Sequence, residues 1–447
     1  MGSIFGTDGV RGEANVDLTP ELATAIGRAL VTVLVEEGER RPSILIGRDP
    51  RWSGEMLESA LIAGLTSAGG DAVSVDVMPT PGVAHLTATG SAAAGVMISA
   101  SHNPVEDNGI KIFGPDGFKL TDAEEARLEE LIEGNEGRRV TGTDVGRRLR
   151  DAAAVSRYVQ HLVSITDVDL TGLRVVVDGA NGAASQVAPQ VYRHLGAEVI
   201  TINCSPDGSN INEEAGSTYP EVICQAVIDH SADAGISHDG DADRLIAATH
   251  QGAEVDGDAI LAILAQRMHV LGSLNGDTVV TTVMTNLGFK KAMDRLGVKV
   301  VETQVGDRYV LEAMRAGGFN LGGEQSGHVI LLDHATTGDG VLTAVRLLTA
   351  VRRTGESLEE LSRVMRRLPQ VLINVSGVDK SRLDDADGVR SVIEAEEARL
   401  GDGGRVLVRP SGTEPLVRVM VEAETSQDAE ASAQRIADAV TAELVIA

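Results

Sequence analysis

Short apolar runs alternate with longer stretches whose apolar residues recur every three or four positions, a pattern that predicts strands separated by helices. Leu22, Ile26, Ala29, Leu30 and Val33 form one helical stripe, with Thr19 as N-cap and Pro20 in the first turn. Strands are expected at 43–46, 71–77 and 95–98, with a helix over 53–68 and another before the third strand. The same order returns at 173–177, 198–201 and 234–236, and again at 278–282, 298–302 and 319–321. Such alternation indicates α/β layers with mainly parallel pairing. The remainder differs: a strand at 371–375, a charged helix at 385–400, strands at 405–408 and 416–422, and a closing helix at 428–444. The expected fold is therefore three related mixed α/β domains, 1–150, 151–253 and 254–370, followed by a smaller α+β domain, 371–447.

In each repeated unit a late strand runs into a polar loop rich in Gly or Ser. Ligands of open α/β sheets bind at the carboxyl ends of strands, so three such ends are expected to share one central cleft.

Composition narrows the class. The chain has 447 residues, which at ~150 per domain suggests about three domains. Hydrophobic residues are 43% of it, enough for real cores. The 66 acidic against 39 basic residues give a formal charge of −27. A body so negative repels nucleic acid and anionic membranes. Aromatics, at 2%, are too few for base-stacking platforms. No secretory signal opens the sequence, and no apolar run approaches the ~18 residues of a membrane span; 259–265 is among the longest. Cys204 and Cys224 lack metal-ligand spacing and read as small buried residues in a reducing cytosol. A cytoplasmic protein is expected.

Four loops carry candidate chemistry. Asp239, Asp241 and Asp243 alternate after a buried strand, and on an extended segment they would point to one side. Oxygen-only ligands suit Mg²⁺ or Ca²⁺. An EF-hand is excluded, because Arg244 stands where Gly is needed and His250 where Glu is needed. Ser101 and His102, at another strand end, suit a nucleophile or phosphoryl carrier, or else an ordinary Ser/Asn turn, and Lys111, ten residues after Ser101, could add a charge or a proton or be a solvated lysine. Pro104 restricts Asn103 to extended conformations. Glu324 and Ser326, two apart before His328, suit hydrogen bonding to sugar hydroxyls. Arg409, Ser411, Gly412 and Thr413, with Arg418 on the next strand, suit a phosphate. No G-x-x-x-x-G-K-[ST] occurs, which disfavours a P-loop ATPase.

Taken together and in this order, the loops resemble those of the α-D-phosphohexomutase superfamily along essentially the whole chain. The resemblance implies three related α/β domains and a smaller C-terminal one around a central cleft. It implies that Ser101 is phosphorylated and that one Mg²⁺ per active site sits on Ser101, Asp239, Asp241 and Asp243. Glu324 and Ser326 would bind the sugar; Arg409, Ser411, Gly412, Thr413 and Arg418 would hold its unreacting phosphate. The opening Phe5-Gly6-Thr7-Asp8-Gly9-Val10-Arg11-Gly12 and Gln325 are similar to the bacterial phosphoglucosamine mutase branch. Ser99 stands where many superfamily members have Thr, although Ser is common in this branch.

That branch implies interconversion of glucosamine 6-phosphate and glucosamine 1-phosphate through a sugar 1,6-bisphosphate, a step toward UDP-N-acetylglucosamine and the cell wall. The bisphosphate also serves as activator. Arg244, Arg11 and Lys111 would offset charge, while Lys111, His102 and His328 are the candidates for proton transfer. The bisphosphate must turn around, so the last domain is expected to move. The implied partner is a phosphosugar, with a homodimer allowed. The rivals are a phosphomannomutase/phosphoglucomutase, a non-catalytic sugar-phosphate sensor and a metal-dependent phosphatase. Because substrate and product are anions, a locally positive cleft is expected inside the acidic body.

Overall fold

Three sheets share one strand order. The computed structural model describes residues 4–6, 8–411 and 414–445. In the first sheet, strand Ser43–Arg48 lies between Asp71–Val77 and Ala94–Ile98, parallel to both. Asp107–Phe113 then returns antiparallel beside Ala94–Ile98. In the second, Arg174–Asp178 lies between Glu198–Ile202 and Ala234–Ser237, and Ile246–Thr249 returns antiparallel. In the third, Thr278–Thr282 lies between Lys299–Thr303 and Leu321–Gly323, and Val329–Leu331 returns antiparallel. The repeat read from element order is thus a repeat of topology, with a reversed fourth strand added in every unit.

The reversed strand is what the sequence reading lacked in the first unit. Asp107–Phe113 is almost wholly buried and carries Lys111. Its outer neighbour, Val10–Glu13, pairs Arg11 with Gly109. The three candidate loops all fall in the same turn, between the third strand and the reversed fourth. Central strands such as Val175-Val176-Val177 have no exposed face, which explains their unbroken apolar runs.

The chain forms two compact units, 1–283 with 298–364, and 284–297 with 365–447. Helix Leu287–Leu296, read from the sequence as the third unit's crossover, groups with the C-terminal residues. Asn286 Nδ2 donates to Leu368 O at 3.0 Å and Glu422 Oε1 at 3.1 Å, and the Leu287 N–H donates to Glu422 Oε2 at 3.0 Å. The rest of that unit is a three-stranded antiparallel sheet, Gln370–Ser376, Leu416–Glu422 and Arg405–Pro410, with Leu416–Glu422 central. Helices Asp387–Leu400 and Ser426–Leu444 close its core around Val417, Val419, Val421, Ile436 and Val440.

Cys204 and Cys224 are half-buried thiols, less enclosed than expected, and burial pushes Cys204 up to about 11. Among the described residues, no helix is long and apolar enough to cross a membrane.

Candidate active site

Ser101 sits at the turn after Ala94–Ile98 with φ of 51°, a left-handed conformation that a non-glycine residue adopts at a cost. It is buried, and its hydroxyl donates a short hydrogen bond to Asp239 Oδ2. His102 Nδ1 lies 3.4 Å from the same hydroxyl. Burial and the nearby Arg244 and Arg11 lower His102 to about 4, so its ring is neutral at pH 7. Gly240 permits this approach: a Cβ there would stand 2.4 Å from Ser101 O.

Asp239, Asp241 and Asp243 converge, with one oxygen of each within 4.8 Å of the others. The cause differs from the one expected. The segment is a turn, with Ala242 at φ of 61°, so curvature of the backbone gathers the carboxylates, not alternation along an extended chain. Burial and its two neighbours push Asp239 well above the usual carboxylate range. Burial also opposes charge on Asp243, but His328, Lys111 and Arg244 hold it well below. Asp241 Oδ1 and Asp243 Oδ1 are buried without a hydrogen-bond donor. Crowded, desolvated and partly unsatisfied oxygens fit a hard divalent cation.

Lys111 is buried against this cluster, with Nζ 3.1 Å from Asp241, 3.2 Å from Asp8 and 3.8 Å from Asp243. Burial favours its neutral form, but those carboxylates outweigh it and raise the ammonium far above its ordinary value. Lys111 is therefore a fixed positive charge. Arg11 pairs with Asp8, and its Nε is buried without an acceptor. The Arg244 N–H donates to Asp239 Oδ1 at 3.2 Å.

His328 joins the third loop to the second. Residues 244 and 328 form an antiparallel bridge, and the Leu245 N–H donates to Gly327 O at 3.0 Å. The Gly338 nitrogen lies 3.1 Å from His328 Nε2, and Nδ1 lies 3.6 Å from Asp243. Gly338 is required there, because a Cβ would stand 2.5 Å from the ring. Burial disfavours a second proton, but Asp243, Asp307 and Glu324 outweigh it and raise the imidazole to about 9. A cation on Asp243 would remove the largest of those pulls. Glu324 Oε1 accepts from the Gly306 N–H at 3.2 Å, and Ser326 is exposed.

Several residues here escaped the sequence reading. Thr80 Oγ1 donates to Asp241 Oδ2 at 2.6 Å. Lys119 bridges Asp8 at 2.5 Å and Asp307 at 2.7 Å. Buried His238 lies 3.1 Å from both Arg244 O and the Tyr192 hydroxyl, and burial lowers it to about 4. Thr80 and Lys119 stand in no motif, while His238 directly precedes the aspartates and turns away from them to Tyr192. The expected positive lining counted Mg²⁺ and the arginines of the other unit along with Arg11, Lys111 and Arg244. In this unit Asp8, Asp239, Asp241, Asp243, Asp307 and Glu324 stand among Arg11, Lys111, Lys119, Arg244 and His328, so acids and bases are mixed around the aspartate cluster.

In the other unit, Arg409 and Arg418 face each other across the hairpin. Like charges directly opposite destabilise a strand pair unless an anion joins them. Arg418 is partly offset by Glu414 at 2.9 Å, yet its Nε is buried without an acceptor. Lys380 Nζ donates to Ser411 O at 2.6 Å and Glu414 O at 3.0 Å, tying the loop's two ends. Gly412 and Thr413 lie outside the described residues.

The shared strand order and a buried hydroxyl on an aspartate cluster define a phosphotransfer-type α/β enzyme, and family comparison agrees. Four successive domain models match: phosphoglucomutase/phosphomannomutase alpha/beta/alpha domain I at 2–139, domain II at 156–252, domain III at 256–368 and the C-terminal domain at 372–439. The chain belongs to the phosphoglucomutase/phosphomannomutase family. It is 56% identical to a protein of Thermobifida fusca (strain YX) named phosphoglucosamine mutase, covering 100% of both chains. It is 57% identical to a Saccharopolyspora erythraea protein of the same name, over 99% of this chain and 100% of that one. Among solved structures, a phosphoglucomutase/phosphomannomutase family protein from Burkholderia thailandensis superposes with a TM-score of 0.84 at 24% identity, over 99% of this chain and 97% of that one. Aspergillus fumigatus N-acetylphosphoglucosamine mutase, solved with GlcNAc-6P and magnesium, gives 0.70 at 19%, over 99% and 96%.

Proposed function

We propose that this chain is a phosphoglucosamine mutase that interconverts glucosamine 6-phosphate and glucosamine 1-phosphate in the cytoplasm, supplying precursors of UDP-N-acetylglucosamine and the cell wall. The observation that carries the chemistry is the Ser101 hydroxyl bonded to Asp239 within a buried aspartate cluster. The amino sugar follows the relatives that match over their full length.

Phosphorylated Ser101 gives its phosphoryl group to the free sugar hydroxyl. The P–Oγ bond breaks, a P–O bond to the sugar forms, and the sugar's hydroxyl proton ends on Ser101 Oγ. The 1,6-bisphosphate turns around, and its other phosphoryl group returns to Ser101 by the reverse exchange. Mg²⁺ held by Asp239, Asp241 and Asp243, with Ser101 beside them, supplies Lewis acidity when bound. Arg244, Lys111 and Arg11 hold positive charge around the transferring group, because such transfers depend on positioning and charge stabilisation. Neutral His102, with Nδ1 3.4 Å from the hydroxyl, relays the proton. Glu324 and Ser326 face the sugar hydroxyls. The hairpin with Arg409, Ser411, Gly412, Thr413 and Arg418 grips the unreacting phosphate, releasing it as the bisphosphate turns.

Intact mass after incubation with glucose or glucosamine 1,6-bisphosphate tests the carrier: one phosphate should appear on a peptide containing Ser101 and be absent from Ser101→Ala, which should have lost most turnover. Phosphate elsewhere, or an active Ser101→Ala, overturns the mechanism. Comparing glucosamine, glucose and mannose 6-phosphates in one assay tests the sugar; a higher kcat/KM for glucose or mannose overturns that assignment.

A further inference from the structure

The loop 47–50 ends the first unit's first strand, yet nothing in the reaction above uses it. Asp49 and Arg51 are fully buried, and their ion pair spans 2.8 Å behind Ser101. From this pair two routes lead to the peptide groups of Ser101. Asp49 Oδ2 accepts from Ser99 Oγ at 2.6 Å, and Ser99 Oγ accepts from the Ser101 N–H at 3.0 Å. Arg51 Nη2 donates to Ser101 O at 3.3 Å and to Asn103 O at 2.7 Å. The N–H and C=O of Ser101 are therefore tied into one closed ring of hydrogen bonds.

A second donor meets the same two carbonyls from another repeated unit. Asn212 Nδ2 donates to Ser101 O at 2.9 Å and to Asn103 O at 3.0 Å. Asn212 is buried and is itself left-handed, with φ of 59°. Ser101 is thus held in its costly conformation by side chains from both the first and second units. With φ in that region, the hydroxyl meets Asp239.

We propose that Asp49, Arg51, Ser99 and Asn212 are positioning residues that fix the Ser101 backbone so that its hydroxyl, or the phosphoryl group it carries, faces the aspartates. The inference rests on Ser101 being the carrier. None of the four need touch the sugar, so their loss should slow transfer and leave substrate binding little changed. Misplacing a reacting group by about 1 Å can cost on the order of 100-fold in rate. A Thr at position 99 would keep the hydroxyl that the ring requires.

The test compares Ser99→Ala, Ser99→Thr, Asn212→Ala and Arg51→Lys with the parent and with Ser101→Ala, all saturated with Mg²⁺. Ser99→Ala and Asn212→Ala should lose roughly 10- to 100-fold in kcat with KM changed less than about threefold. Ser99→Thr should keep the parent rate, and in the two alanine variants the mass gain on Ser101 from bisphosphate should slow in parallel with kcat. Arg51→Lys keeps the charge but loses the fork and should fall below both. Kinetics are taken per folded molecule, with the melting temperature as control, so that a misfolded Arg51 variant leaves the Ser99 pair decisive. Ser99→Ala and Asn212→Ala with kcat within twofold of the parent, beside an inactive Ser101→Ala, overturn the positioning role alone. A rise in KM with kcat unchanged does the same. Full turnover by Ser101→Ala instead removes the carrier on which the inference rests.

Discussion

Lys111 shows how one side chain can serve both stability and chemistry. Its ammonium is almost fully buried and lies within 3.2 Å of both Asp241 and Asp8. Lys111→Met should cost about 3–5 kcal/mol, because it removes the cation paired with buried Asp241 while keeping the stem's volume. The melting temperature should fall by several degrees, and added Mg²⁺ should recover part of the loss; an unchanged melting temperature would show that the pairing contributes nothing. Sequence spacing brought Lys111 to notice but left open whether it was a solvated surface lysine. The reversed strand Asp107–Phe113 decides that by burying it against acids from the second unit.

At the scale of elements, the C-terminal helices are joined by Glu396. Arg435 donates to it at 2.5 and 2.8 Å, Arg399 at 2.9 Å and Ser432 at 2.8 Å. The bonds from Arg435, helped by those from Arg399 and Ser432 and opposed by burial, lower its carboxyl from 4.5 to about 2. A carboxyl whose folded value is depressed stabilises the fold fully above the unfolded value. That stabilisation is lost as pH falls from about 4.5 toward about 2. Glu396→Gln should therefore destabilise the C-terminal unit by about 1–2 kcal/mol at pH 7 in urea unfolding. The difference should shrink as the pH approaches 2, and a difference independent of pH would refute the assignment. Both helices were legible from their amphipathic pattern; the cluster joining them was not, because it needs partners 36 and 39 positions away.

Across the whole molecule, the charge of −27 continues into the aspartate-lined site. Cation binding to the folded site raises stability by mass action. Millimolar Mg²⁺ should therefore raise the melting temperature of the parent and not of Asp243→Asn, and a chelator should abolish turnover; equal shifts in parent and variant would move the cation elsewhere. The order of strands and helices was readable because burial on both faces leaves apolar runs, and helices leave stripes, in any local window. The loops of Ser101, the three aspartates, Glu324 and the arginine hairpin stood out as polar clusters at strand ends, and the roles proposed for them came from their resemblance, taken together, to a known family. Folding decided what such windows cannot contain: the antiparallel return of the fourth strand in each unit, the turn that gathers the aspartates, and the grouping of helix Leu287–Leu296 with the C-terminal unit. It also decided that Asp49, Thr80, Lys119, Asn212 and Asp307 surround Ser101 and the aspartates. Each is an ordinary polar residue in its local context and acquires a role only when strand pairing and burial remove water and leave a partner from a distant segment.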